Sequence, residues 1–410
     1  MTAGEFDMPA SHLDAPVVPR CPFPEAGVDE DKVVAEVEQR YAQNRYPIDR
    51  NFSITYSGIP SAVSQRIDAM SAGRYFVEWG ADTESGTMSM EREAVAMMGS
   101  LLGNPAAQGF ITTGGTESNI AAMRLARNSG KQDEPEVVGP TTMHFSFRLA
   151  AELMGIKLVE VDVDKETYLP RLDDIERAIT PRTVGIVCSA PMGLFGTMDP
   201  VEELSELAWA KGLYLHVDAA FGGFILPFLP ALGVPVAPFD MSLRGVSSIS
   251  TDGHKLGMMP VATGFFLTSD TGIFETVPTE RTLIHTTSST KPGGRAASAW
   301  ATLRALGRSG YVDSTRHLLR LRETITSGVT AVPGIRLVVP PLVGLVGITS
   351  DSVDMAAVHT WLDAHGWGQS YGELRGTRFI RLSIHPSRTL ESAAGFVEAF
   401  RQAVEAKELS

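Results

Sequence analysis

From residue 109 to residue 268 the chain alternates short apolar runs with amphipathic segments, and no other feature constrains its fold as strongly. The apolar runs are GFITT (109–113), EVVG (136–139), IKLVEVDV (156–163), VGIVCS (184–189), LYLHVD (213–218), VSSIS (246–250) and ATGFFLT (262–268). Between several of them lie segments with helical spacing: residues 116–127, FSFRLAAELMG, LDDIERAI and PVEELSELAWAKG. A strand that is apolar on both faces has to be covered on both. The pattern therefore predicts an α/β fold with a mostly parallel seven-stranded sheet and helices on either side.

Past about residue 310 the pattern changes. A helix over 312–329, the strand-like runs IRLVVP and LVGLVGITS, a helix over 353–365, FIRLSI (379–384) and a helix over 389–407 predict a small α+β domain. At the other end, five prolines between Pro9 and Pro24 mark an extended arm. A helix over 31–43, an irregular stretch over 44–87 and a helix over 88–103 follow. The expected division is an N-terminal arm and helix (1–50), a large ligand-binding domain (51–310) and a small C-terminal domain (311–410).

Charge narrows the partners. The 35 Lys+Arg against 48 Asp+Glu leave a net −13 with no basic cluster, so no nucleic-acid partner is expected. No apolar run approaches bilayer length and no basic segment precedes an apolar one near Met1, so no membrane partner is expected and a cytoplasmic location is. Cys21 and Cys188 are too few for a disulfide framework or a Cys-based zinc site, which fits a reducing compartment.

Four segments carry chemistry. SSISTDGHKLG places Lys255 just past a buried strand, at the sheet edge where open α/β folds bind ligands. LHVDAAFGGF ends an apolar strand on Asp218, a carboxylate that needs a cationic partner there, and the small residues after it leave room for a flat ring. His216 and Asp218, two apart on a strand, can share a face as metal ligands, but no third ligand follows from the spacing and no metal is expected. TTGGTESN (112–119) turns a strand into a helix whose start suits a phosphate, or is simply capped by Thr116. TMHFSF places His144 after a buried strand, where it can stack on a planar group. In this order, a phosphate cradle, a stacking histidine, a strand-end aspartate and a lysine form a site for pyridoxal 5′-phosphate.

These residues also carry a resemblance. TTGGTESN, HFSF, IVCSAP, DPVEELSELA, LHVDAAFGGF, SSISTDGHKLG and STKPGGRAASAWATLRALGRSGY resemble the group II pyridoxal-phosphate-dependent decarboxylases of fold type I. Within that family, the resemblance is to the sphingosine-1-phosphate lyases and the archaeal-type tyrosine/aspartate decarboxylases. The resemblance implies Lys255 as the Schiff-base lysine, Asp218 as the partner of the pyridine nitrogen and His144 as the ring-stacking residue. Gly115, Thr116, Asp252 and His254 would surround the phosphate. Ser289, Thr290 and Gly294 would reach the phosphate of a neighbouring subunit, which implies a homodimer with sites at its interface. Arg381, in FIRLSIHP, matches a position that faces the substrate carboxylate or forms a structural salt bridge. Tyr75, with Phe52, Tyr56, Phe76 and Trp79, belongs to a stretch expected to contribute to the substrate pocket or to subunit packing.

Two departures refine the expected function. The run LGMMPVATG has Val261 and Ala262 where the lyases carry a lysine for the substrate's own phosphate, which argues against a phosphosphingolipid. TVPTERTLIHTTSST (276–290) has no tyrosine where many family members place a proton donor, and His285 is the nearest candidate acid. Decarboxylation of an α-amino acid to an amine is the expected activity. Carbon–carbon cleavage of a β-hydroxy amine or amino acid, and decarboxylation coupled to oxidative deamination, are the alternatives.

Overall fold

In the computed structural model, residues 23, 25–44, 46–54, 58–71, 86–130, 132–269 and 293–408 are described. The helices run in chain order as α1 (Glu30–Tyr41), α2 (Ala62–Ser71), α3 (Gly86–Leu101), α4 (Gly115–Gly130), α5 (Ser146–Met154), α6 (Leu172–Ala178) and α7 (Val201–Lys211). They are followed by α8 (Gly293–Thr330), α9 (Met355–Ala364) and α10 (Leu390–Glu408). All seven expected strands are present: β1 (Gln108–Thr112), β2 (Glu136–Pro140), β3 (Lys157–Val161), β4 (Thr183–Ser189), β5 (Tyr214–Asp218), β6 (Ser248–Asp252) and β7 (Gly264–Thr268).

These strands form one sheet in the order β1-β7-β6-β5-β4-β2-β3. The pairs β2–β3, β2–β4, β4–β5 and β5–β6 are parallel, while β7 runs against both β1 and β6. β1 consequently points the same way as β2 to β6, and the ends of β1, β5 and β6 share one edge. β2, β4, β5, β6 and β7 are buried along their whole length, which explains why they read as continuous apolar runs rather than as alternation. Glycines stop the covering helices: Gly155 after α5 (φ 62) and Gly212 after α7 (φ 64) adopt the left-handed conformation that closes a helix without a Cβ penalty.

The C-terminal part holds a second, antiparallel sheet in the order β10-β11-β9-β8, made of β8 (Ile335–Leu337), β9 (Leu345–Ser350), β10 (Ser370–Leu374) and β11 (Thr377–Ser383). Both sheets share one apolar cluster, which includes Val217 and Ile249 from the first and Ile348 and Ile380 from the second. Leu318 and Leu321 of α8 and Phe396 of α10 belong to the same cluster.

Three expectations need correction. The stretch 44–87 contains a helix, α2, whose one fully buried residue is Ser64 and which therefore shows no apolar stripe in sequence. The helix expected to begin at residue 312 begins at Gly293 and breaks at Gly307 (φ 55, ψ −171), so residues 312–329 form only its second limb. β10 is an additional strand paired on one side only, to β11, and its half-exposed SYGEL sequence lacks strand-like alternation.

Phe52 is fully buried between Trp367 and Phe396, with ring centroids 6.4 and 5.4 Å away, and its backbone bonds to Gly368 and Ser383 at 2.7 Å. It is a core anchor rather than a pocket residue, and burial of such a ring stabilises the fold by about 2–3 kcal/mol. Tyr56, Tyr75, Phe76 and Trp79 lie outside the described residues.

Candidate active site

The three ends on the common sheet edge bring the expected residues together. β1 runs out at Thr112, and α4 begins two residues later at Gly115. Thr116 lies inside α4 and is not its cap; instead Glu117 Oε2 reaches back and accepts from the Thr113 N–H at 2.7 Å and from its hydroxyl at 2.9 Å, the carboxylate half of a capping box. Gly114 sits at φ 144, and a Cβ there would lie 2.8 Å from His254 Cε1. At Gly115 a Cβ would lie 3.2 Å from both Ala220 Cβ and Asp252 Oδ2. The start of α4 therefore stays narrow and backbone-lined, with its free N–H groups facing the edge.

Lys255 follows β6 by three residues, and its Nζ lies 2.9 Å from Asp252 Oδ2. His254 Nε2 lies 3.7 Å from the same oxygen, and its Nδ1 is engaged by Thr263 at 2.9 Å. Asp218 ends β5 with Oδ2 accepting from Asn119 Nδ2 at 2.8 Å and Oδ1 accepting from the Ala220 N–H at 3.0 Å. Burial pushes the Asp218 carboxyl upward. The neighbouring His144 and Lys255, with the two N–H donors, outweigh it and hold the group below the usual carboxylate value, so it is ionised. His144 bonds to Ser146 Oγ at 2.8 Å, and burial lowers its pKa despite the pull of Asp218, so its ring is neutral.

Arg381 lies on β11, in the second sheet, with Nε donating to Gly193 O at 2.9 Å. Burial lowers its pKa to about 10, and no described carboxylate forms a salt bridge with it. It is near enough to His144 to depress that ring's pKa. Both ring nitrogens of His216 are hydrogen-bonded, Nδ1 to Ser248 and Nε2 to Asn119, so the ring does not present a free ligand atom beside Asp218.

Gly294 lies in the first turn of α8. A Cβ on it would lie 2.8 Å from Ser71 Cβ, so within this chain it serves the close packing of α8 on α2. His285, Ser289, Thr290 and Tyr75 lie outside the described residues. Val261 is exposed on the loop between β6 and β7.

The sequence profile described as the pyridoxal-dependent decarboxylase conserved domain matches residues 55–349. The chain belongs to this family. It is 33% identical over 387 residues to an L-aspartate decarboxylase of Thermococcus kodakarensis, covering 93% of this chain and 98% of that one. A sphingosine-1-phosphate lyase of Oryza sativa is 36% identical over 303 residues, 70% of this chain and 56% of that one. Among solved structures, the sphingosine-1-phosphate lyase of Burkholderia pseudomallei superposes with a TM-score of 0.84 at 27% identity, covering 95% and 92% of the two chains. The fold is thus that of the fold type I enzymes, and the cofactor of this decarboxylase family is pyridoxal phosphate.

The residues present fit that group. The backbone cradle at Gly114–Gly115 accommodates a phosphate, the ionised Asp218 accommodates a protonated ring nitrogen, and Lys255 supplies an amine. Asp252 Oδ1, a buried polar atom without a hydrogen-bond partner in the single chain, lies beside this cradle, 3.6 Å from where a Cβ on Gly115 would be. Three contributors were not anticipated: Asn119, Ser146 and His385, whose Nε2 lies 2.9 Å from the carbonyl oxygen of Lys255. Asn119 lies inside the TTGGTESN motif, but nothing in its spacing shows that it reaches Asp218, 99 residues away.

Proposed function

We propose that this chain decarboxylates an α-amino acid, with L-aspartate the first substrate to test, through Lys255, Asp218 and His144. The observation that carries this reading is that Asp218, His144, Lys255 and the start of α4 meet at one sheet edge. The comparisons support it, because relatives covering nearly the whole chain are named as aspartate decarboxylases.

In this reading Lys255 holds the cofactor's aldehyde carbon and Asp252 steadies its amine. Asp252 can only accept, so it serves as counter-charge to Lys255 rather than as a phosphate ligand. The N–H groups of Gly115 and Thr116, with His254, hold the phosphate. His144 stacks on the ring face, and Asp218 keeps the ring nitrogen protonated. Pyridoxal phosphate then supplies the electron sink for the pair left behind as CO₂ departs. Arg381, a guanidinium with no carboxylate partner among the described residues, binds a substrate carboxylate.

The working unit in this proposal is a homodimer, with Ser289, Thr290 and Gly294 serving the neighbouring site. The exposed face of α1 supports it: Val33, Val37 and Tyr41 recur every four residues, and no residue of the helix is buried in the single chain. The boundaries 1–50, 51–310 and 311–410 and a cytoplasmic location belong to the same proposal. Cys188 is a buried free thiol, and no helix among the described residues is long and apolar enough to cross a membrane.

The test is CO₂ release from a panel of amino acids by purified protein, with aldehyde and peroxide measured in parallel. Lys255→Ala is expected to lose the visible absorbance acquired with the cofactor and at least about a thousandfold in kcat. Full turnover in that variant would overturn the assignment. An aldehyde formed without CO₂ would establish carbon–carbon cleavage instead.

A further inference from the structure

We propose that Asn119 is a positioning residue of this site: its side-chain amide, oriented by His216, aims the Asp218 carboxylate and sets which nitrogen of His144 carries the proton. The proposal rests on the reading of Asp218 as the partner of the cofactor's ring nitrogen.

The directions of the hydrogen bonds follow one from another. An ionised carboxylate only accepts, so the Asn119 atom that meets Asp218 Oδ2 at 2.8 Å is the amide nitrogen. The other end of the amide is then Oδ1, which faces His216 Nε2 at 3.0 Å and Ser250 Oγ at 3.1 Å. Oδ1 only accepts, so His216 carries its proton on Nε2. His216 Nδ1 is left as an acceptor and takes the hydroxyl proton of Ser248 at 2.7 Å. Ser248 Oγ in turn accepts from the Tyr214 hydroxyl at 2.7 Å.

The second amide proton of Asn119 runs the other way. It goes to Ser146 Oγ at 3.0 Å, and the Ser146 hydroxyl is 2.8 Å from His144 Nδ1. The Ser146 backbone N–H also points at His144 Nδ1, at 3.3 Å. Two donors meet that nitrogen, so the His144 proton is on Nε2. One carboxylate thereby fixes a chain of polar groups drawn from α4, α5, β5 and β6.

Burial makes this arrangement consequential. Asn119, Ser146, His216, Ser248 and Ser250 are all completely buried, so no water competes for their bonds. Asn119 makes all four hydrogen bonds open to a side-chain amide. His216 touches Phe147 and Phe266 on its ring faces and edges, with centroids 5.9 and 6.3 Å away, and so cannot easily flip. Phe147 belongs to α5, the helix that follows His144. A carboxylate deprived of the Asn119 donor would keep the Ala220 N–H on Oδ1, and Oδ2 would lose its one hydrogen-bond donor among the described residues.

The test compares holoenzyme of the wild type with Asn119→Asp, Asn119→Leu, His216→Phe and the double variant His216→Phe/Asn119→Leu. The cofactor dissociation constant, the visible absorbance and the thermal midpoint are measured for each. Both Asn119 variants are expected to bind pyridoxal phosphate about tenfold to a hundredfold more weakly, the range for a lost bond to a charged group. His216→Phe, which does not touch Asp218, is expected to weaken binding by a smaller factor. The double variant is expected to bind no more weakly than Asn119→Leu, because the relay is already cut.

An unchanged dissociation constant in His216→Phe, or full additivity in the double variant, would overturn the relay. Failure of the wild type to bind the cofactor would instead sink the proposed function. Should the variants not fold, nitrogen-15 spectra of the histidines in wild-type holoenzyme decide. Neutral His216 and His144 with the proton on Nε2 support the proposal, and a proton on Nδ1 of either contradicts it.

Discussion

His385 donates its Nε2–H to the carbonyl oxygen of Lys255 at 2.9 Å, across 130 residues of sequence. Its other nitrogen accepts from the backbone N–H of Ser387 at 3.0 Å, which leaves the proton on Nε2. The same loop is held by Tyr311, whose hydroxyl bonds to Gly257 O at 3.0 Å, and by the Ser61 N–H on Met258 O at 2.8 Å. The loop that carries the lysine is therefore pinned from three distant segments, two of them C-terminal to it.

Replacement of His385 by Ala removes this donor and opens a space next to Gly58, whose backbone packs on the ring. The loss is expected to be about 2–4 kcal/mol, combining an orphaned carbonyl with the cavity. Urea unfolding measures it, and an unchanged midpoint would show that the other two ties suffice.

Stability should depend on pH through three buried groups. Burial lowers the pKa of both His216 and His385 to about 4, from an ordinary 6.5. Each is neutral when folded and takes up a proton on unfolding between those values. Stability is therefore lost as pH falls from about 6.5 towards 4, by on the order of 3 kcal/mol per histidine. Asp199 has the opposite sign, because burial raises its carboxyl from 3.8 to about 7. Its contribution is present at low pH and is lost as pH rises from about 4 through 7. Asp199→Asn should accordingly steepen the loss on the acid side and flatten the profile near neutrality, which denaturant melts at several pH values will show.

Gly114→Ala tests the cradle. Its φ of 144 and the 2.8 Å approach to His254 both oppose a side chain. Strain of about 1–3 kcal/mol is expected. The cofactor dissociation constant should rise with it, because the added methyl group crowds the phosphate end of the site. Wild-type affinity in that variant would remove the phosphate from the start of α4.

Arg381→Ala should raise KM by about tenfold to a hundredfold, the range for a lost charge-assisted bond, with a smaller change in kcat. Arg381→Lys should recover only part of it, since an ammonium lacks the planar fork. An unaltered KM would make the residue a purely structural contact to Gly193.

Much of this molecule is legible in its sequence alone. The seven strands of the large sheet read correctly because burial on both faces leaves them no polar positions to obscure the pattern. α2 does not stand out in the sequence because its one fully buried residue is Ser64, and the start of α8 does not because Gly293, Gly294 and Gly307 read as turns. Lys255, Asp218, His144 and Gly115 stand out as candidates in the sequence because each lies in a short motif where a strand runs out. His385 and Asn119 do not stand out in this way, because their partners lie 99 to 130 residues away.

The sequence by itself determined the layered α/β fold, the family and the chemical groups available at the sheet edge, since these depend on local periodicity and short motifs. Only the tertiary structure decided that Asn119 faces Asp218, that His216 stands behind Asn119, and that His385 holds the backbone of Lys255. The physical reason is direction. Hydrophobic burial is set by which residues are apolar, whereas a hydrogen bond exists only where a donor and an acceptor are brought to about 3 Å with the right ends facing.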